Sequence, residues 1–165
     1  MTTDGRDRIL ADFARVAPML PGAQVPWLNR LRRSALERFA QNGFPTQRDE
    51  EWKYTSVAAI EKRSFTAMSD GTDNAAPAEL DALAVGHFGG HRLVFVNGRY
   101  APALSAVGRL PAGVCLVSLA DALNRVPDAL APLLSGDGGQ TVFGALNTAF
   151  MADGVYLHLP RGIAV

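Results

Sequence analysis

The stretch FPTQRDEEWKYT, residues 44–55, places five charged side chains among three aromatic ones. Within it, Thr46 and Asp49 have the spacing of a capping box, in which two side chains bind the free backbone donors at the start of a helix. We therefore predict a helix that begins near Thr46 and carries acidic side chains in its first turn, where the helix dipole favours them. Phe44 and Trp52 are predicted to face the core.

The acidic run of Asp49, Glu50 and Glu51 is a weak candidate for catalysis. General acid–base chemistry needs carboxylates that converge on a cleft, whereas neighbouring side chains on a helix diverge by about 100°. Lys53 follows Asp49 by four residues, the spacing of an ion pair on a helix surface. The run therefore favours a structural or partner-contact role, and we predict no catalytic residue in it.

Composition excludes several functional classes. The 165 residues are enough for one domain or two small ones, and 48% hydrophobic with 19% charged residues is typical of a globular protein. Sixteen charges of each sign give no net charge, whereas nucleic-acid binders carry a basic excess. No apolar run approaches the roughly 18 residues of a membrane span. The single cysteine, Cys115, favours a reducing compartment, so we predict a cytoplasmic protein that binds neither nucleic acid nor membrane.

Two amphipathic helices are predicted before the charged stretch. The first ends near Pro18, and the second begins at Pro26 and ends at Gly43. Its arginine-rich run NRLRRSALER, residues 29–38, is interpreted as a solvated face. The apolar stripes of the two helices consist of Ile9, Phe13 and Val16, and of Leu28, Leu31, Ala35 and Phe39.

The pattern changes after residues 69–79, a stretch without large apolar residues that we interpret as a flexible linker. Asn97 and Gly98 lie between two β-prone arms and predict a hairpin, because both residues tolerate a positive φ. Ser118 and Asp121 again have capping-box spacing. Further predicted elements are a buried strand at residues 113–117 and helices at residues 119–126 and 141–150.

The sequence ends on a strand pattern. Residues 154–160, GVYLHLP, alternate apolar and polar side chains, and residues 163–165 begin another apolar run. A strand of this kind without a partner leaves an edge that invites association. We therefore expect the front part of a longer protein, in which later strands or a neighbouring chain cover this face.

No metal, cofactor or nucleotide site is predicted. His87 and His91 have the spacing of a helical metal pair, but the two glycines between them disfavour a helix. His158 alternates with leucines, and Cys115 is interpreted as a small buried hydrophobe. An iron–sulfur cluster typically needs about four ligands. The glycine-rich run at residues 135–141 lacks the lysine and spacing of a phosphate-binding loop.

Three blocks of the sequence form a more specific pattern: GFPTQRDEEWKYT at residues 43–55, FVNGRYAPALS at 95–105 and FGALNTAFMADGVYLHLPRGI at 143–163. In motif and order they resemble the SufD family of iron–sulfur cluster assembly proteins, over about residues 27–165. The positions of the signature motif are Phe44, Pro45, Arg48, Asp49, Glu50, Glu51, Trp52, Lys53 and Tyr54.

The resemblance implies an α+β fold. An N-terminal helical region would be followed by a small β-hairpin and strand–helix region, which leads into the first coil of a right-handed parallel β-helix that is truncated here. The expected divisions are a helical region at residues 1–68, a linker at 69–79, a mixed region at 80–152 and the start of the β-helix at 153–165.

The resemblance also implies a function. The chain would be a non-enzymatic part of the SufBCD scaffold complex, with SufB-like and SufC-like partners, and the full complex would assemble an iron–sulfur cluster. No catalytic, cofactor-binding or metal-binding residue is expected in this chain, and a homodimer is an open alternative. Other readings are a SufB-like paralogue, a stand-alone helical interaction domain that binds through Trp27 or Trp52, and a small cytoplasmic hydrolase using His158 or the acidic run.

Overall fold

The computed structural model describes residues 4–65, 67, 90–136 and 141–164. The chain forms two compact units, each built from two separate stretches. The first unit consists of Met1–Ser69 and Val126–Met151, and the second of Asp70–Arg125 and Ala152–Val165. The linker predicted at residues 69–79 lies outside the described residues.

The described part of the chain is a mixture of helices and short strands, as the α+β prediction requires. Its α-helices are α1 (Gly5–Val16), α2 (Pro26–Asn42), α3 (Ala58–Lys62), α4 (Leu119–Arg125), α5 (Pro127–Leu134) and α6 (Val142–Ala149). Its strands are β1 (Phe95–Val96), β2 (Arg99–Tyr100), β3 (Cys115–Ser118) and β4 (Val155–His158). None of the described helices is long and apolar enough to cross a membrane.

The two helices predicted at the N-terminus are confirmed as α1 and α2. Pro26 is the first residue of α2, where its missing N–H costs nothing. Gly43 ends the helix with φ +67°, a conformation that glycine adopts without strain, and donates its N–H to the carbonyl oxygen of Phe39 at 2.8 Å. The buried apolar residues of this part are Phe13, Val16, Leu20, Leu28, Ala35 and Phe39.

The core of the first unit forms where α2 packs against α6. Ala145 and Ala149 are buried on α6, and their small side chains allow the two helices to approach closely. At the end of α6 the ring of Phe150 meets that of Phe13 edge to face, with 5.5 Å between centroids. The helix predicted at residues 141–150 is thus confirmed, and Thr141 caps it by accepting a hydrogen bond from the Gly144 N–H at 3.0 Å.

Two helices of the first unit were not predicted. The helix α3 has only five residues, too short for an apolar stripe to show in the sequence. The helix α5 begins at Pro127, a favourable first position, but contains a second proline at Pro132. Its Leu130 is fully buried, so packing rather than intrinsic propensity holds this helix.

In the second unit, the predicted hairpin is confirmed. The strands β1 and β2 pair antiparallel, with Phe95 opposite Tyr100 and their rings 5.7 Å apart. Asn97 and Gly98 have φ values of +50° and +77°. Two consecutive residues with positive φ are what the favoured two-residue hairpin turn requires.

The strand at the end of the sequence does not form the predicted coil of a parallel β-helix in the described residues. The strand β4 pairs antiparallel with β3, with Cys115 opposite His158 and Ser118 opposite Val155. The expectation that this strand lacks a partner within the chain is wrong, because β3 supplies the backbone groups that it needs. The apolar side chains of β4 and of the residues that follow it nevertheless remain between 39% and 53% exposed, at Val155, Leu157, Leu159 and Ile163.

The carboxylate of Asp153 joins three segments of the second unit. One oxygen, Oδ2, accepts a hydrogen bond from the N–H of Tyr100 at 2.8 Å. The other, Oδ1, accepts from the N–H of Ala120 at 3.0 Å and of Gly154 at 2.8 Å. The side chain thereby ties the hairpin and the first turn of α4 to the residues that lead into β4.

The start of α4 follows the predicted capping pattern. The hydroxyl oxygen of Ser118 accepts the N–H of Asp121 at 3.1 Å, as the spacing of the two residues indicates. The carboxylate of Asp121 lies 2.9 Å from Nε of Arg125, one turn further along the helix. The capping contact is local, which is why the sequence alone indicates it.

Candidate functional site: a charged surface on an aromatic base

Residues 46–52 form a tight turn, and the helix predicted to begin at Thr46 is absent. Asp49 has an extended backbone with ψ 125°, and only a single 3-10 turn, Glu50–Trp52, follows it. The carboxylate of Asp49 accepts the N–H of Thr46 at 2.7 Å, and the Thr46 hydroxyl oxygen accepts the N–H of Arg48 at 3.2 Å. These local bonds compete with a helix, because they satisfy the same backbone donors in another conformation.

An aromatic cluster of the first unit holds this turn in place. The ring of Phe44 lies 5.3 Å from that of Phe39 on α2 and 6.3 Å from that of Phe143 on α6. The ring of Trp52 lies 5.3 Å from the same Phe143. The prediction that Phe44 and Trp52 face inward is confirmed by these contacts, which anchor both ends of the turn.

The other side chains of the motif point to solvent. We call this set the signature surface: Arg48, Asp49, Glu50, Glu51, Lys53 and Tyr54, all exposed. Tyr54 is 90% exposed, and the ammonium group of Lys53 lies 5.6 Å from the centre of its ring. The ion pair predicted between Asp49 and Lys53 is replaced by this contact. A large aromatic side chain displayed so openly is typical of interaction sites rather than of a core.

A groove of about 510 Å³ runs beside the signature surface. It is lined by Asn42, Pro45, Asp49, Glu50, Glu51, Trp52, Thr141 and Val142. Three of these eight residues are acidic and none is basic. The groove combines an indole and two apolar side chains with three carboxylates, a composition that suits contact with a cationic surface.

Neither the described histidines, His91 and His158, nor Cys115 is among the residues that line this groove. His158 and Cys115 are opposite each other on the second unit's β4 and β3. The ring nitrogen Nδ1 of His91 accepts the N–H of Gly108 at 3.0 Å. His87 lies outside the described residues. Within the described ranges, no group of three or more His, Cys, Asp or Glu side chains is placed to hold a metal ion.

Arg32 does not face solvent, contrary to the prediction for its run of arginines. It belongs to the arginine-rich run assigned to solvent, yet it is only 1% exposed. Its Nη2 donates to the carbonyl oxygens of Pro21 at 2.9 Å and Met151 at 2.7 Å. Its position was readable: it lies four residues after Leu28 and three before Ala35, on the apolar stripe of α2.

Burial also changes the chemistry of Arg32. Removal from water disfavours the charged guanidinium and lowers the pKa of Arg32 to about 10. Among the described residues, its Nε and Nη1 have no hydrogen-bond acceptor. A cation held in this way, by two backbone carbonyls alone, has a structural role in joining the loop before α2 to the residue that follows α6 and its C-cap.

Comparison with known proteins places these features in a family. A family model described as "SufBD protein N-terminal region" matches residues 6–165. The chain is 31% identical over 143 residues to an iron–sulfur cluster assembly SufBD family protein of Synechocystis, which covers 86% of this chain and 31% of the relative. It is 35% identical over 95 residues to the iron–sulfur cluster assembly protein SufD of Escherichia coli, which covers 58% of this chain and 21% of the relative. The chain thus spans less than a third of either relative.

Proposed function

The chain belongs to the SufBD protein N-terminal region family, and from this premise we propose that it is the N-terminal part of a SufD-like component of the SufBCD cluster assembly scaffold. The observation that carries the proposal is the family match over residues 6–165. The similarity to a protein named SufD and the motif RDEEWKYT favour the SufD-like over the SufB-like alternative. In the proposal, this part of the protein acts through contacts with SufB-like and SufC-like partners and contains no catalytic residue.

The signature surface is the proposed contact region. Its anchoring rings are held by the core of the first unit, so the exposed charges and Tyr54 are presented on a fixed base. A preorganised surface binds with a smaller loss of conformational entropy than a mobile one. The acidic groove beside it supplies the charge complementarity that selects a cationic partner surface.

The proposal extends to the second unit and to the protein as a whole. The half-exposed side chains of Val155, Leu157 and Leu159 form an apolar face, and we propose that further strands of a β-helix cover it in the complete protein. A homodimer that covers the same face is the alternative. The proposed location is the cytoplasm, for which the single cysteine is the sequence argument.

Co-purification tests the proposed function. The complete protein that contains this chain, carrying an affinity tag, is co-expressed with the SufB-like, SufD-like and SufC-like proteins of its own organism. We expect the SufB-like and SufC-like proteins to be retained on the tag. Retention of a SufD-like protein in place of a SufB-like one would assign the chain to the SufB-like paralogue. Retention of none of them would overturn the proposal.

Replacing Tyr54 by alanine is expected to weaken the complex about tenfold, because truncating a central exposed aromatic residue removes much of the binding energy of an interface. The dissociation constant from a titration of the purified partners is the measurement. Met19→Ala is the matched control, since Met19 is also an exposed apolar residue of the first unit. Equal affinities for the two variants would place the interface elsewhere.

The Glu50→Gln, Glu51→Gln double variant distinguishes a partner-contact role of the two carboxylates from a catalytic one. Both carboxylates are exposed, and the groove that they line with Asp49 contains no histidine, cysteine or lysine among its lining residues. We expect the rate of cluster formation per assembled complex to stay within about twofold of that of the unchanged protein. A large loss of cluster formation in a complex of normal composition would show that the carboxylates take part in the chemistry.

A further inference from the structure

One side of α1 carries a stripe of four residues that each contact a single later segment. Gly5, Arg8, Asp12 and Arg15 follow each other at intervals of three, four and three residues, which places them on one face of the helix. The segment consists of residues 61–65 and 67, which follow the start of α3 and which we call the strap. The strap is the last described part of the first unit before the chain passes to residue 70 and the second unit.

The N-terminal half of the stripe holds the start of the strap. Gly5 is buried, and a Cβ atom at its position would lie 2.6 Å from the carbonyl oxygen and 3.0 Å from Cγ of Glu61. Such a distance to a backbone atom is shorter than any packed structure tolerates, so the close approach depends on glycine. The same carbonyl oxygen accepts a hydrogen bond from Nη2 of Arg8 at 2.7 Å.

The C-terminal half holds the end of the strap by its backbone. The Oδ2 atom of Asp12 accepts the N–H of Ala67 at 2.7 Å, and Nη2 of Arg15 donates to the carbonyl oxygen of Ala67 at 3.2 Å. Nε of Arg15 donates to Oδ1 of Asp12 at 3.0 Å and so closes the ring of bonds. A neighbouring β-strand likewise forms hydrogen bonds with the N–H and the C=O of a single residue. Asp12 and Arg15 therefore bind the backbone of Ala67 without regard to its side chain.

Between these two attachment points, Phe65 separates two hollows on the surface of the first unit. One is an apolar groove of about 360 Å³ lined by Ile9, Asp12, Phe65, Ala67, Leu146, Asn147 and Phe150. The other, on the side of Asp7 and Arg8, measures about 380 Å³ and also includes Phe65 in its lining. Phe65 is 63% exposed. Its burial therefore contributes only part of the stabilising free energy that a fully buried phenylalanine would contribute.

We propose that the stripe on α1 is a docking track for the strap, and that backbone capture by Asp12 and Arg15 fixes where the chain leaves the first unit. Because Phe65 adds little burial of its own, the polar bonds at residues 61 and 67 determine whether the strap is seated. Release of the strap removes Phe65 and Ala67 from the lining of the apolar groove and so leaves Ile9, Leu146 and Phe150 more exposed to solvent. The strap is therefore a conformational device whose seated state is the one described here.

Hydrogen exchange at the Ala67 amide tests the proposal in the full chain. With Asp12→Ala we expect this amide to exchange at least roughly tenfold faster, because its acceptor is a charged oxygen, and we expect trypsin to cleave faster after Arg63. Asp7→Ala is the matched control: it removes the same charge from the same helix at a position that does not touch the strap backbone. Equal exchange of Ala67 in the two variants would overturn the proposal.

Two further measurements distinguish loss of strap docking from a general loss of stability. In Asp12→Ala, the amides of α2, such as that of Phe39, should keep their exchange rates. A uniform increase in exchange across α1 and α2 would show that Asp12 acts only in global folding, and this result would overturn the proposal. Gly5→Ala improves intrinsic helix propensity but is expected to loosen the strap and speed exchange at Ala67 several-fold. Unchanged exchange of the Ala67 amide in Gly5→Ala would show that the close approach of Gly5 to Glu61 does not keep the strap in place.

Discussion

Replacing Asp153 by alanine is expected to lower the free energy of unfolding of the second unit by about 3 kcal/mol. The carboxylate accepts three backbone N–H groups, from Tyr100, Ala120 and Gly154. Hydrogen bonds to a charged group contribute about 1.5–3 kcal/mol each, and the three are not additive because they share one side chain. Chemical denaturation followed by circular dichroism measures the loss.

Asp121→Ala is the control in the same unit. Its carboxylate pairs with Arg125 on a helix surface, where such a pair contributes under about 1 kcal/mol. Asp153→Asn should fall between the two, because an amide replaces one accepting oxygen by a donor that faces another N–H. If Asp153→Ala were as stable as Asp121→Ala, the three bonds would not be what holds the hairpin, α4 and β4 together.

Replacing Arg32 by alanine is expected to destabilise the first unit by about 3 kcal/mol. The change removes two charge-assisted bonds, to the part-buried carbonyl oxygens of Pro21 and Met151, and deprives both acceptors of this donor. It also empties the space of a fully buried side chain on α2. Thermal and chemical unfolding of the variant give the change in free energy.

The neighbouring Arg33 provides the control, because it is exposed on the same helix. Arg33→Ala should stay within about 0.5 kcal/mol of the unchanged chain. Arg32→Met keeps most of the side-chain volume and loses only the donors, so we expect it to recover part of the stability. An Arg32→Ala variant no less stable than Arg33→Ala would mean that the two carbonyl contacts contribute nothing to the fold.

The correct sequence predictions share a physical basis. The bounds of α2 depend on a proline at its first position and a glycine after its last. The β1–β2 turn depends on the positive φ of Asn97 and Gly98. Such preferences belong to one or two residues and act through neighbours along the chain, so they can be read without knowing the fold.

The candidate site was predicted in composition but not in geometry. The motif at residues 44–55 identified the family, and its two inward-facing rings were assigned correctly. The capping spacing of Thr46 and Asp49 was also real, but it closes a tight turn. Spacing alone does not distinguish the two outcomes, because the same side-chain bonds occur at helix starts and in isolated turns.

The sequence by itself determined the family, the α1–α2 pair, the hairpin and the order of most helices, because local conformational preference and apolar periodicity are written in neighbouring residues. Only the tertiary structure decided which carbonyl oxygens Arg32 binds, that Asp153 joins three segments and that β4 pairs with β3. The bond from Arg32 to Met151 spans 119 residues, and the bond from Asp153 to Tyr100 spans 53. Partners so far apart meet only after the helices and strands have packed, since no local pattern specifies which distant backbone group a buried charge will find.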